Sequence, residues 1–582
     1  MARTGAQLLI DSLMEVGIDV LFGIPGGVVI PIFDVLYDSK LRAVLMRHEQ
    51  AAAHAADGYA RASGRLGCCL ATSGPGATNL VTGIATANFD SVPILAVTGQ
   101  VRTNLIGNDA FQEADITGIT RGITKHSYLV RNAADIRRVI HEAAYIATTG
   151  RPGPVLVDIP VDVSMSKVEG EPTAEFRLPG YRPSVDGNMR QIERIAEMIN
   201  ASERPVLYAG GGVIASGAHE ELMALAEAGE IPVTTTLMGL GAFPEDHPLA
   251  LRMLGMHGTP MANYAVMSSD LLIAVGARFD DRITGKITEF AEHARIIHVD
   301  VDPASIGKNI HVDLPVVGDA KSVLAKLVPL IEKRDRSEWH QRIQNWRKTH
   351  KLTYRENGKL KPQYVVQQIR QITHGDAIIC TEVGQNQMWA AQWFGYKRPR
   401  QFISSGGLGT MGFGFPAAIG AQFARPGEIV FDIAGDGSLQ MNIQEMATVA
   451  ANKTPVKIAL LNNGYLGMVR QWQEFFFGRR YSATCLKRDG RCPGVCDNPG
   501  KNCPPYVPDF VRLAEAYFAV GMRVQKKEDV EPALREALKV KKPVLIDFLV
   551  SPEENVTPMV PAGAPLKTMI SSVEDAQRYL LA

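Results

Sequence analysis

The sequence predicts an α/β protein built from three tandem doubly wound parallel-sheet domains. Three observations predict it. Short apolar runs alternate with amphipathic helical patterns in three successive stretches. A chain of 582 residues is too long for one core and divides into about three. Late in the chain, two apolar runs end in Gly435-Asp436-Gly437 and in Asn462-Asn463, the arrangement expected where parallel strands deliver polar residues to one sheet edge.

Taken in order, residues 1–165 open on an amphipathic helix, then alternate the strand-like runs VLFGIP, VLMRH, GCCLATSGPG, PILAVTGQ and PVLVDIP with helical patterns. Residues 166–188, rich in Pro, Glu and Gly, read as a linker. Residues 189–335 repeat the logic with RPVLYAGGGV, PVTTT, LLIAVGARFDDR, RIIHVDVD and LPVVGD. A charged helical connector spans 336–361. Residues 362–550 form the third α/β unit, interrupted by a Cys-rich insertion at 484–508, and 551–582 is a Pro-containing tail with little strand pattern. The first and third units read as a pseudo-duplicated pair.

Composition narrows the function classes. Net charge is zero and the Lys and Arg residues are dispersed, which excludes a nucleic-acid or membrane-surface footprint. No apolar run is long enough to span a bilayer, and the N-terminal stretch lacks signal- and transit-peptide patterns, so the expectation is a cytoplasmic enzyme. Cys68, Cys69 and Cys380 lie in apolar contexts and read as small core residues.

The GDG…NN pair carries the most chemistry. Its first apolar run (Ile429 to Ile433) leads to Gly435-Asp436-Gly437, and a helical stretch opens at Ser438. The second (Val456 to Leu461) leads to Asn462-Asn463. Asp436 and Asn463 would supply two hard oxygens and Tyr465 a backbone carbonyl. Diphosphate oxygens and a water would complete the octahedron that Mg²⁺ demands. Gly435 and Gly437 admit a phosphate closely, and the helix start offers it free N–H groups. GDG and NN at this spacing, each on a strand end, resemble the signature of thiamine-diphosphate enzymes. Such a cofactor needs a carboxylate against N1′ of its aminopyrimidine, and Glu49, opening EQAAAHAADGYARASG after VLMRH, is the candidate. Standing alone, it would read as a helix-dipole partner.

Further motifs make the resemblance specific. They are FGIPGG (22–27), RHEQAAAHAADGYAR (47–61), TSGPGATN (72–79), NDAFQE (108–113), TTGRPGPVLVDIP (148–160), LGMHGT (254–259), GARFDDRITGK (276–286), GGLGTMGFGFPAAIGA (406–421) and LGMVRQWQE (466–474). Essentially end to end, the chain resembles the catalytic subunits of the acetolactate synthase (acetohydroxyacid synthase) family. The resemblance implies pyrimidine-binding, central FAD-binding and diphosphate-binding domains, in that order. The implied reaction decarboxylates pyruvate and condenses its two-carbon unit with a second 2-keto acid, pyruvate or 2-ketobutyrate, opening branched-chain amino acid biosynthesis.

Residue by residue, the resemblance places Gly26, Phe111 and Gln112 in the reaction chamber beside Glu49. Val383, Gly384, Gln385, Asn386, Gly409 and Met411 would hold thiamine diphosphate, with Met411 as the wedge that bends it. Gly435, Gly437, Ser438, Tyr465, Leu466, Gly467 and Met468 complete that set, and Asp436, Asn463 and the Tyr465 carbonyl would bind Mg²⁺. Arg151, Gly210, Gly211, Met256, His257, Gly276, Ala277, Arg278, Asp280, Arg282, Asp300 and Asp319 match the FAD contacts, the flavin being structural rather than redox-active. Trp472 would narrow the second-substrate pocket toward 2-ketobutyrate, while Arg282 would take the keto-acid carboxylate by a bidentate contact. The family's sites form between two subunits, so a homodimer or dimer of dimers is implied, and a small regulatory subunit is a further partner.

The chain departs from the family pattern at Val161, where a lysine is usual, at Arg102 in place of proline, and at Asn386 in place of a cofactor-adjacent histidine. These bear on substrate preference and inhibitor response. Within the insertion, Cys485, Cys492, Cys496 and Cys503 fit a Zn²⁺ or iron–sulfur site, free thiols or disulfides, and their six-, three- and six-residue gaps are unlike zinc knuckles. Pyruvate oxidase and sulfoacetaldehyde acetyltransferase are the rival activities. A catalytically silent binding partner is the rival of another class, against which intact Glu49, Asp436 and Asn463 argue.

Overall fold

A computed structural model describes residues 2–490, 492 and 503–581. Three six-stranded sheets, each parallel throughout, follow one another along the chain. The first takes strands Arg42–Leu45, Val20–Gly23, Gly67–Ala71, Ile94–Gln100, Val155–Pro160 and His126–Leu129 in that spatial order. Numbered along the chain, this is 2-1-3-4-6-5. The third has the same order, with Phe402–Ile403, β1 (Ile378–Thr381), β2 (Val430–Gly435), β3 (Lys457–Asn462), Val544–Leu549 and Val520–Val524. Shared topology is what a pseudo-duplicated pair requires. The central sheet differs. Its strands Ala250–Met253, Val233–Thr235, Pro205–Ala209, Leu271–Val275, Arg295–Asp300 and Leu314–Val317 run 3-2-1-4-5-6, the dinucleotide-binding order.

The first and third units meet through two helices. Helix α1 (Glu49–Ser63) is capped by His48, whose Nδ1 accepts from Gln50 N (3.1 Å), and ends at Gly64 with φ +76°. It is alanine-rich because it is buried almost all round; Ala51, Ala52, Ala53, Ala55 and Ala56 expose nothing. It crosses α2 (Gly414–Ala424) at backbone contact. A Cβ on Gly58 would stand 2.1 Å from Ala417 O, and one on Gly420 would stand 1.9 Å from Ala55 O. One continuous apolar core accordingly draws on both units, from Phe22 and Cys69 to Ile378, Cys380 and Phe413. Cys68, Cys69 and Cys380 are indeed buried.

Some edges differ from the expectation. Strand β2 starts at Val430 rather than Ile429, and the following short helix opens at Asp436 rather than Ser438. The supposed linker begins with Lys167–Val168 paired antiparallel to Arg3–Thr4. The tail ends in a helix, Val573–Leu581. Among the described residues no helix is long and apolar enough to cross a membrane.

Candidate active site

In the third sheet the strand order reverses between β1 and β2, and ligands of open α/β sheets bind at the carboxyl side of such a switch point. Residues 383–386 follow β1 there, and Gly435-Asp436-Gly437 closes β2. Asn463 lies one strand further, just past β3. The segments line one recess together with Met411, Tyr465, Leu466, Gly467 and Met468. Asp436 is fully buried, and burial raises its carboxyl to about 7. Its Oδ2 accepts from Gly464 N (3.0 Å). Asn463 Oδ1 accepts from Tyr465 N (2.9 Å), while its Nδ2 donates to Gln385 Oε1 (3.2 Å). A buried carboxyl beside an amide oxygen, with no basic side chain hydrogen-bonded to either among the described residues, suits a hard dication. The donor set therefore fits Mg²⁺ and a diphosphate.

The loop carrying Gly409 and Met411 is clamped at both ends. Asp90, from the first unit, accepts from Gly406 N (3.1 Å) and Gly407 N (2.7 Å). Ser405 Oγ accepts from Thr410 N (3.0 Å). Beyond Met411, Glu382 accepts from Gly412 N (2.7 Å) and Phe415 N (3.0 Å). Gln385 continues inward, donating to Gln471 Oε1 (2.9 Å), and Gln471 donates to Val556 O (3.0 Å). The Asn463 amide is thereby joined to α3 (Gly467–Phe476), the helix that carries Trp472. Asn386 donates to Glu382 O (2.9 Å) and Ile433 O (2.8 Å), lacing β1 to β2.

A much larger cavity, about 1190 Å³, opens at the central sheet's switch point, above the ~300–1,000 Å³ of ordinary ligand sites. Arg151, Gly210, Gly211, Met256, His257, Gly276, Ala277, Arg278, Asp280, Arg282, Asp300 and Asp319 all line it, and so do Val383, Gly409, Met468 and Trp472. Glycine is required where the two central strands end, because a Cβ on Gly210 would stand 2.1 Å from Gly276 O. Buried polar atoms on this wall, Tyr208 Oη and His257 Nδ1, have no hydrogen-bond partner among the described residues. Burial pushes His257 down to about 4 and raises the Asp280 carboxyl. Asp280 and Asp319 also cap short helices, through Arg282 N and Ser322 N. Topology, glycines and orphaned polar atoms fit an extended dinucleotide such as FAD. The Arg282 guanidinium lies over the Trp472 ring, 5.9 Å from its centroid, so both residues expected to meet substrate border one another.

The remaining chamber residues are elsewhere. Glu49, Gly26, Phe111 and Gln112 line neither cavity. Glu49 Oε2 accepts from Asn79 Nδ2 (3.0 Å), and a Cβ on Gly76 would stand 3.4 Å from Glu49 Oε1. Gly26 approaches Thr72, whose Oγ1 is buried without a partner among the described residues, as is Ser73 Oγ. Phe111 is 87 % exposed, and Gln112 has φ +58°. Glu445, buried and raised to about 7 by that burial, accepts from Arg47 N (3.0 Å), two residues before Glu49.

Asp90, Glu382, Gln471 and Glu445 escaped the sequence reading. A carboxylate in a helical or loop stretch ordinarily reads as a solvated one, and only the fold reveals that these are buried against backbone N–H groups. Val161 is half-buried and Arg102 exposed. Of the insertion cysteines, Cys485, Cys492 and Cys503 are half-buried, and Cys496 lies outside the described residues. Among the described residues no group of three or more His, Cys, Asp or Glu side chains could hold a metal ion.

Comparison with known proteins agrees with this layout. The family model described as the N-terminal TPP binding domain of thiamine pyrophosphate enzymes matches residues 3–119. The central-domain model matches 192–327, and the C-terminal TPP binding domain model matches 382–548. An acetolactate synthase of Mycobacterium bovis is 51 % identical over 570 residues, covering 96 % of this chain and 90 % of its own. An acetolactate synthase large subunit of Corynebacterium glutamicum is also 51 % identical, over 96 % of this chain and 89 % of its own. A probable acetolactate synthase large subunit of Methanocaldococcus jannaschii is 49 % identical over 582 residues, covering 98 % and 95 %.

Proposed function

The chain belongs to the acetolactate synthase large-subunit family of thiamine pyrophosphate enzymes, and from this we propose that it joins two 2-keto acids with loss of CO₂ at sites shared between two subunits. Two pyruvates give 2-acetolactate, and pyruvate with 2-ketobutyrate gives 2-aceto-2-hydroxybutyrate. When bound, thiamine diphosphate supplies the electron sink that lets the first keto acid lose its carboxylate and leaves its two-carbon unit nucleophilic.

The chain's own residues do the rest. Asp436, Asn463 and the Tyr465 carbonyl would hold Mg²⁺, and the helix start at Asp436 would offer N–H groups to a diphosphate. The clamped loop presents Met411 to the cofactor. Glu49 would exchange a proton between its carboxylate and the ring nitrogen N1′ of a bound cofactor. Arg282 takes the carboxylate of the incoming keto acid, with Trp472 limiting the room for its alkyl chain. The residues lining the central cavity would hold FAD, which need transfer no electrons because substrates and products balance without it.

The observation that carries this reading is the division of the machinery within one chain. The diphosphate, metal and substrate residues line connected walls of the third and central units. Glu49 and its neighbours line neither cavity. The diphosphate recess holds only about 60 Å³, far below the ~300–1,000 Å³ of an enclosing site. A second copy supplying Glu49, Gly26, Phe111 and Gln112 completes it, so a homodimer is the smallest active unit. The test is to incubate purified protein anaerobically with pyruvate, thiamine diphosphate, Mg²⁺ and FAD, and to assay acetolactate. Product formed while the flavin stays oxidised supports the reading; a bleached flavin without acetolactate replaces it with an oxidase.

A further inference from the structure

An asparagine side chain ends in two groups of nearly equal size and opposite character, and only its carbonyl oxygen can ligate a cation. Its neighbours must therefore decide which way round the Asn463 amide stands. Asn463 Nδ2 donates to Gln385 Oε1 (3.2 Å), so Asn463 follows Gln385. Gln385 Nε2 donates in turn to Gln471 Oε1 (2.9 Å) and to Glu554 O (3.1 Å). The series ends on backbone, whose donor and acceptor cannot change places. Val556 N donates to Gln471 Oε1 (2.8 Å), and Gln471 Nε2 donates to Val556 O (3.0 Å). Three side-chain amides thus run head to tail between Val556 and Asn463.

All three amides are buried, and Gln471 and Val556 expose nothing. A buried amide cannot exchange a lost partner for water, so reversing one requires reversing its neighbours. The packing accommodates the relay: a Cβ on Gly467 would stand 2.2 Å from Gln385 Oε1 and 2.7 Å from Asn463 Nδ2, so the start of α3 needs glycine there. Gln471 lies on α3 beside Trp472 and lines neither cavity. We propose that Gln471 is a positioning residue for the metal amide. Anchored on the Val556 backbone, it sets the polarity of Gln385, which engages Asn463 Nδ2 and leaves Oδ1 for Mg²⁺. Tyr465 N, which donates to the same Oδ1 (2.9 Å), favours the same orientation. The inference rests on the Mg²⁺ assignment made above.

Two variants of similar size separate polarity from packing. Gln471→Met removes both polar atoms, whereas Gln471→Glu keeps an oxygen toward Gln385 in either protonation state. Thiamine diphosphate binding to the apo-protein, followed by calorimetry at a series of Mg²⁺ concentrations, reads the effect without turnover. The methionine variant should need ~10–100-fold more Mg²⁺ for half-saturation, and the glutamate variant should stay close to the wild type. Should the methionine variant fail to fold, Gln471→Asn, one methylene shorter, withdraws the oxygen from Gln385 and should show the same shift. Wild-type Mg²⁺ dependence in the methionine or asparagine variant overturns the inference alone. So does an equal shift in the glutamate variant, which marks a merely structural glutamine. Wild-type protein that binds the cofactor without regard to Mg²⁺ overturns the metal assignment and the inference together.

Discussion

At the residue scale, each site carboxylate makes a separable claim. Glu49→Gln keeps the shape and removes the proton-holding group, so kcat should fall by ~10²–10⁴-fold while calorimetric thiamine diphosphate binding changes little. Asp436→Asn should instead abolish Mg²⁺-dependent cofactor binding, because a neutral amide replaces the one charged side chain of the assigned ligand set. A third prediction concerns stability. Both carboxylate oxygens of Asp432 on β2 are buried without a partner among the described residues. Burial, then the charge of Glu382, lifts its carboxyl well above the ordinary range, and burial lifts Glu382 to about 7. Acids that bind a proton more tightly folded than unfolded cost nothing below their unfolded values near 4. Their cost grows as pH rises toward the folded values and is complete above them. Asp432→Asn should therefore melt increasingly above the wild type between pH 5 and pH 8; a constant difference would contradict the assignment. Glu49, Asp436 and Asn463 were legible in the sequence because their motifs combine ligand chemistry with a strand end. Glu382, Asp432 and Glu445 were not, because their burial is decided by elements far away in the chain.

At the element scale, the α1–α2 crossing fixes where Glu49 sits relative to the third unit. Glycine at 58 and 420 lets the two backbones touch, and Glu445 ties the turn at Arg47 to the same framework. Gly420→Val must push α1 off Ala55 O; overpacking of this kind costs ~1–3 kcal/mol or more. It should lower the melting temperature and the activity together, whereas unchanged melting would show that the crossing is loose. The alternation of apolar runs revealed the central strands of the first two sheets, since strands buried on both faces read as continuous apolar stretches. It missed His126–Leu129 and Ala250–Met253, which are edge strands of their sheets. The first is half-exposed and polar at its start, and the second carries Arg252, so neither stands out as an apolar run.

At the scale of the whole molecule, the 2-1-3-4-6-5 order of the outer sheets and the 3-2-1-4-5-6 order of the central one account for the division of labour. In the proposed reading the first and third units present switch points to thiamine diphosphate and the crevice of the central unit takes the dinucleotide. Strand order lies beyond sequence periodicity, though the repeated α/β pattern already suggested the outer pair. The central claim is that each active site takes Glu49 from one chain and Asp436 from another. Co-expressing Glu49→Gln and Asp436→Asn chains under different tags, then isolating the mixed dimer, tests it most directly. Each parent homodimer is inactive, and the mixed dimer should regain about half the wild-type activity, because one of its two interface sites is intact. A mixed dimer as inactive as its parents would place both residues in a site within one chain and contradict the account.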